Sequence, residues 1–355
     1  MERKLASIQK VLEVNPIPGA DAIECLTVLG WKVVSKKNDF KVGDLLVYFE
    51  VDSILKESPD VEFLRKSNFR IKTIKLRGQV SQGLCLPLSI LPVPTTVASA
   101  PGTIHDCSLR IDYKEGDDVT EMLGVVKYEP YVPAQLSGQV KGNFPEFIHK
   151  TDETRIQAVP AVLYRHQQKK FYVTEKVDGS SMTVYFRRSE HFADGEFGVC
   201  SRNLDMKEEG GTSFWKVARE LDLENKLRSL NRNIALQGEL LGPGVQGNKY
   251  KLEKLGYYIF NVFDIDSGLH FDFDKFTAMV NYLGLSSVPL VNADYLLPGT
   301  IDEMVEFSKG KSLLNKDSHR EGVVLRPLVG EYDEELRGRL SFKCINPDFL
   351  LKYNE

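Results

Sequence analysis

The feature that most constrains this chain is a change of rhythm near residue 148. Before it, short apolar stretches recur at close spacing with glycine between them. Residues 26–34 read as two strands broken at Gly30, residues 41–44 as a turn, and residues 45–51 as an apolar strand. Residues 69–77 and 80–88 add two more, parted by Gly78 and Gln79. Short strands punctuated in this way predict a small β-barrel. After residue 148, strands alternate with helices. Residues 171–174, 182–186, 234–240, 257–265 and 322–326 read as strands. Residues 212–230 carry Phe214, Val217, Leu221 and Leu227 on one stripe and read as a helix, as do 274–283 and 301–314. Between the two patterns, residues 129–147 hold Pro130, Pro133, Gly138, Gly142 and Pro145, the composition of a linker. The expected organisation is a β-barrel over 1–128, a linker over 129–147 and an α+β domain over 148–355.

Charge narrows the partners. The formal net charge of the 355 residues is −4, so no global basic field draws the chain to nucleic acid. Any such surface must be local. Arg70, Lys72, Lys75 and Arg77 are the candidate strip for a phosphate backbone. Their numbering changes parity after Lys72, so one face requires a bulge near Thr73. The competing expectation is a solvated strand face. The five cysteines are scattered and form no C-x-x-C pair, which excludes a disulfide framework and a structural zinc site in favour of buried, reduced thiols. There is no apolar signal region near Met1 and no run approaching the ~20 apolar residues of a membrane span. The expected location is intracellular, cytoplasmic or nuclear, with no membrane and no obligate protein partner.

Lys176-Val177-Asp178-Gly179 is where chemistry enters. Alone, K-x-D-G arises by chance in roughly one chain of this length in ten, and a surface turn explains it. Five further elements follow in order: Ser201-Arg202-Asn203, Gly238-Glu239-Leu240, Phe260-Asn261-Val262-Phe263-Asp264, Glu321-Gly322-Val323-Val324-Leu325-Arg326 and Ser341-Phe342-Lys343-Cys344. They fall at or beside predicted strand ends. In this order they resemble the motifs of the covalent nucleotidyltransferases, which implies phosphoryl transfer to Lys176. A lysine attacks phosphorus only as the free amine, and its reference pKa is ~10.4. It must be desolvated or placed near cations to titrate lower. Arg202 and Lys343 are suitable neighbours and also suit an α-phosphate. Asp178, Glu239 and Glu321 are the carboxylates available to Mg2+ or Mn2+, with waters between where the hard cation keeps them.

This ordered series resembles the covalent nucleotidyltransferase superfamily of ATP-dependent DNA ligases, RNA ligases and mRNA capping enzymes, over residues 148–355. The resemblance implies an ATP-grasp-like adenylyltransferase (DNA/RNA ligase) domain of antiparallel sheets and helices, preceded by an OB-like barrel. It implies that Lys176 becomes a lysyl-AMP, with Lys343, Arg202 and Glu321 catalytic. It also implies ATP contacts from Glu175, Glu239, Phe263 (stacked on adenine) and Asp264.

Only twelve residues follow Lys343, so the C-terminal OB domain of DNA ligases and capping enzymes is missing. The barrel comes first instead, as in the class of RNA ligases with an N-terminal OB domain. Residues 150–157 and 346–352 resemble that class too, and in it Arg155 lies near the ATP phosphates. Lys343-Cys344-Ile345 departs from its K-x-K pattern. The expected activity is ATP-dependent joining of RNA 3′-OH and 5′-phosphate ends, with RNA as partner and ATP and a divalent cation as cofactors. The alternatives are a DNA ligase or guanylyltransferase of the same superfamily, or a non-catalytic OB-domain RNA-binding protein.

Overall fold

The structure, a computed structural model, describes residues 3–92, 113–128, 138–189 and 192–354. It divides into two compact units, Met1–Pro130 with Leu350–Glu355, and Tyr131–Phe349.

In the first unit, a five-stranded antiparallel sheet has the order Trp31–Lys36, Ile23–Val28, Ala6–Pro16, Leu45–Phe49, Leu84–Pro87. The 11-residue central strand pairs on both sides, and its register shifts between Val11 and Glu13. Such an irregularity adds the twist that lets a sheet curl. Ile8, Val47, Phe49, Val51 and Val61 fill its core.

The continuous strand expected over 69–77 does not form. Only Ile74–Leu76 is a strand, paired in a hairpin with Gln79–Ser81, while Asn68 and Phe69 turn the chain with φ of 51° and 57°. The cations expected on one strip are therefore dispersed. Arg70 is captured by Asp52 at 2.7 Å and lies 3.7 Å over the Tyr128 ring. Lys72 donates to the Asn354 carbonyl, and Lys75 and Arg77 are exposed on the hairpin.

The second unit contains two larger sheets. One has the order Val140–Asn143, Leu204–Met206, Phe192–Cys200, Ser180–Ser189, Ile234–Leu241, Gly256–Asp264, Leu269–His270, antiparallel along this path, with the short strand Ser286–Ser287 pairing parallel to Gly256–Asp264. The other runs Thr154–Arg155, Phe342–Ile345, Gly322–Pro327, Lys170–Lys176, Leu290–Leu296, with only its first pair parallel. Helices Ser213–Glu220, Leu223–Ser229 and Phe273–Tyr282 bury one face of the larger sheet through Trp215, Val217, Leu227, Phe276 and Val280. Helix Ile301–Ser308 buries one face of the smaller through Ile301 and Met304, against Phe171, Val173, Val323 and Leu325. Strand alternation then sends Tyr172, Thr174 and Lys176 to the opposite face.

Three expectations are corrected here. Residues 212–230 form two helices, because Asp222 adopts φ 53° between them. The helix from Ile301 stops at Ser308, where Lys309 turns extended and Gly310 takes φ 124°. Of the expected linker, 129–137 lie outside the described residues, and Val140–Asn143 is an edge strand of the larger sheet, with Phe144 buried beside it. Gly142 sits on an edge strand, which tolerates it.

Candidate active site

Lys176 ends its strand opposite Gly322, so the residue before Gly322 lies beside the lysine amine. Glu321 Oε1 is 2.5 Å from Lys176 Nζ. Glu239 approaches from the larger sheet, where its Oε1 accepts the Gly179 N–H at 3.2 Å. Two glycines permit this convergence. A Cβ on Gly179 would lie 2.4 Å from the Leu240 carbonyl oxygen, and one on Gly322 would lie 2.3 Å from that of Cys344. Asp178 is fixed from a third direction: its N–H donates to Tyr250 Oη at 2.8 Å, and its carboxylate pairs with Lys249.

Three carboxylates around one amine set the electrostatics. Burial alone would lower the Lys176 pKa, but Glu321, Glu239 and Asp178 outweigh it and hold the ammonium form above its usual range. This reverses the expectation that Arg202 and Lys343 would bring the lysine down, because the carboxylates lie closer in the balance of charge. Burial, reinforced by Glu321 and Asp178 against Lys176, pushes Glu239 up to about 8. Glu321 Oε2 is buried with no hydrogen-bond partner among the described residues. A cluster of this kind favours a divalent cation. Among the described residues no group of three or more His, Cys, Asp or Glu side chains is placed to hold a metal ion.

Cations gather on the phosphate side. Arg155 pairs in register with Lys343 on adjacent strands. Lys343 is lowered by burial and by Lys176 and Arg155, while Asp152 opposes the shift. Lys343 Nζ and Arg202 Nη2 both reach Asp152, each at 3.1 Å. The Lys176 amine, the carboxylates Glu321, Glu239 and Asp178, and the cations Lys343, Arg155 and Arg202 are thus brought together from two sheets.

The comparisons agree with this geometry. A family model described as an OB-fold domain matches residues 5–88, and one described as RNA ligase matches residues 169–345. A Naegleria gruberi RNA ligase, solved as an apo aspartate-to-alanine variant, superposes with a TM-score of 0.83 at 38% identity over 99% of this chain and 98% of that one. The chain belongs to the RNA ligase family. A lysine-to-alanine variant of the Naegleria ligase with ATP and Mn gives a TM-score of 0.83 at 38% identity, covering 98% of each chain. A glutamate-to-alanine variant with AMP and Mn gives 0.82, again at 38% identity and 98% of each chain. Comparison with curated proteins returns no match.

Other expected contacts of this RNA ligase fall elsewhere. Glu175 points away from Lys176, as strand alternation requires. It is 1% exposed, its carboxyl is raised by burial, and its Oε2 accepts the Leu313 N–H at 2.7 Å, holding the loop beyond helix Ile301–Ser308. Asp264 sits opposite Ile234, at the far end of the strand pair from Glu239, where it binds Arg232 and caps Ser267. Phe263 is 1% exposed, with its ring 5.2 Å from that of His149 and 5.0 Å from that of His270. Phe260 is partly exposed beside Val177 and Tyr250. Thr174, on the Lys176 face, carries a buried hydroxyl with no hydrogen-bond partner among the described residues.

Lys249 and Tyr250 were not anticipated. They follow the glycine-rich stretch Gly242, Gly244, Gly247, whose composition signals a loop and nothing about its destination. Asp152 and Glu153 stand in the same stretch as Arg155, and that adjacency was the available signal.

Proposed function

We propose that this RNA ligase seals RNA 3′-OH and 5′-phosphate ends, at nicks, through three transfers centred on Lys176. The Lys176 amine attacks the α-phosphorus of ATP, and pyrophosphate leaves. A 5′-phosphate oxygen then takes the AMP from Lys176 and regenerates the amine. The 3′-OH attacks the adenylylated end, forms the phosphodiester and releases AMP. The supporting observation is the position of Lys176, with Glu239, Glu321 and Asp178 on one side and Lys343 and Arg155 on the other. Lys343, Arg155 and Arg202 hold phosphate oxygens and oppose the charge that grows on them. Glu321 keeps the amine in place and, while both are charged, keeps it protonated. Glu239, Glu321 and Asp178 are the residues that would hold Mg2+ or Mn2+, whose positive charge would offset the carboxylates around the amine. ATP as the nucleotide is supported by the ATP- and AMP-bound Naegleria ligase structures.

The OB-fold unit holds the RNA, with Lys72, Lys75 and Arg77 as phosphate contacts, since Arg70 is engaged internally. An intracellular location is consistent with the buried thiols of Cys25, Cys85, Cys200 and Cys344. No helix among the described residues is long and apolar enough to cross a membrane.

The experiment is labelling with α-labelled ATP and Mg2+, followed by sealing of nicked duplexes bearing RNA or DNA on either side. The protein should retain label through alkaline denaturation and lose it in acid, as a phosphoramidate does. Lys176→Ala should carry none, and RNA-containing nicks should seal fastest. Full labelling of the variant would remove Lys176 from the reaction. Equal sealing of all-DNA nicks would remove the RNA preference.

A further inference from the structure

One row of the smaller sheet changes character from end to end. Arg155, Lys343, Val324 and Thr174 stand opposite one another on four successive strands. Directly opposed residues share a face of the sheet, and this face carries Lys176, two residues beyond Thr174. The row therefore begins with two cations and ends with an aliphatic side chain and a hydroxyl. Val324 and Thr174 are both buried, Thr174 at 4% exposure. Thr174 Oγ1 has no hydrogen-bond partner among the described residues. Its neighbours across the ladder, Val324 and Leu290, carry apolar side chains and offer it none. A buried hydroxyl left unpaired destabilises the fold, so its retention points to a partner that arrives from outside the chain.

We propose that the Thr174 hydroxyl binds the adenine base of ATP. With the α-phosphate at Lys343, two strand spacings of about 4.8 Å each lead along the row to Thr174, a distance that a nucleoside 5′-phosphate spans. The buried end of the row suits the base. Pyrophosphate must leave to water, whereas a base is flat, apolar on its faces and polar only at its rim. Val324 offers an aliphatic contact for a face, and Thr174 a hydrogen bond for the rim. A hydroxyl can donate to a ring nitrogen or accept from the 6-amino group. This deepens the charging of Lys176 proposed above and rests on Lys343 holding the α-phosphate.

The test compares Thr174→Val and Thr174→Ser with the parent. Without nucleotide, Thr174→Val should melt roughly 2 °C higher, because valine keeps the shape and removes the unpaired hydroxyl. In a Lys176→Ala background, which cannot be charged, calorimetry should show ATP bound roughly fivefold more weakly by Thr174→Val and nearly unchanged by Thr174→Ser. The same loss should appear with 2′-deoxy-ATP. It should vanish with one base analogue among purine riboside triphosphate and 1-deaza-, 3-deaza- and 7-deaza-ATP, the one that lacks the bonded atom. A loss that vanishes with 2′-deoxy-ATP, or persists with every base analogue, would overturn the contact with the base. A lower melting temperature for Thr174→Val would give the hydroxyl a partner inside the chain and overturn the proposal. So would equal or tighter ATP binding by Thr174→Val where the Lys176→Ala chain itself binds ATP. A Lys176→Ala chain that binds no ATP would overturn the assignment of the cleft and the role of Thr174 with it.

Discussion

Two ion pairs stand at opposite ends of the strand Gly322–Pro327, and they are opposite in kind. Lys176–Glu321, at its start, lies in a surplus of negative charge, where Glu239 is pushed up to about 8 and Glu321 Oε2 is left unmatched. Arg326–Glu153, near its end, lies in a surplus of positive charge. Burial alone would raise Glu153, but Arg326 and Lys343 hold it down at about 2. Its Oε1 accepts from Arg326 at 2.6 Å and from Ser341 at 3.4 Å. The first pair is arranged to be opened and the second to persist. Both pairs leave buried polar atoms without a hydrogen-bond partner among the described residues, Glu321 Oε2 in the first and Arg326 Nε and Nη1 in the second, so what separates them is the sign of the surplus charge around them.

The largest expected effect sharpens this contrast at the first pair. Glu321→Gln removes a carboxylate from the lysine and from the cation position, and the rate of lysyl-AMP formation should fall roughly 10²–10³-fold, the size of one lost electrostatic contact. Stability should change little, because Lys176 keeps Glu239 and Asp178 nearby and like-charge crowding is relieved. Single-turnover labelling and a melting curve on the same sample read both quantities. A large drop in Tm with unimpaired labelling would place Glu321 among the structural pairs.

The second pair should respond in reverse. Arg326 is 1% exposed, so Arg326→Met leaves Glu153 without its main partner and should cost about 3 kcal/mol. Adding Glu153→Gln should recover a good part of that loss, since the pair then disappears as a unit. Charging of Lys176, measured well below the lowered Tm, should stay within about tenfold of the parent. Denaturant titration of the single and double variants gives the coupling directly. A double variant no more stable than the single would show that the pair is not a unit.

The sequence made one of these pairs legible and hid the other. Lys176, Glu239, Glu321 and Lys343 were singled out because the ordered motif series that contains them resembles the covalent nucleotidyltransferases, and strand patterns marked their ends. Arg326 lay inside a quoted motif, yet its partner Glu153 stands 173 residues earlier, and only tertiary structure joins them. The same limit explains Arg70, drawn away from any RNA-facing strip by Asp52, and Asp264, whose strand direction puts it at the wrong end for Glu239. Glu175, given an ATP contact by the family resemblance, lies on the opposite side of its strand from Lys176, because successive strand residues face opposite sides. Helix stripes predicted the core-facing residues of 212–230 but not the break at Asp222, which a backbone conformation decides.

The smallest expected effect separates the pairs by pH. Glu239 titrates near 8 in the folded chain against an ordinary value of 4.5. Below 4.5 both the folded and unfolded states hold the proton, and Glu239 adds no pH dependence. Between 4.5 and 8 the folded state keeps a proton that the unfolded state has shed, so stability falls as pH rises, by some fraction of the limiting ~1.4 kcal/mol per pH unit. Glu153 has the opposite sign: its contribution is complete above 4.5 and is lost as pH falls towards 2. Glu239→Gln mimics the protonated acid, so the variant and its parent should melt together at pH 5. At pH 8 the variant should melt a few degrees higher. Thermal scans across that interval, free of nucleotide and metal, provide the measurement. A constant difference at both ends would mean that Glu239 is ionised throughout beside the Lys176 ammonium, and the surplus of negative charge on which the contrast rests would be neutralised within the pair itself.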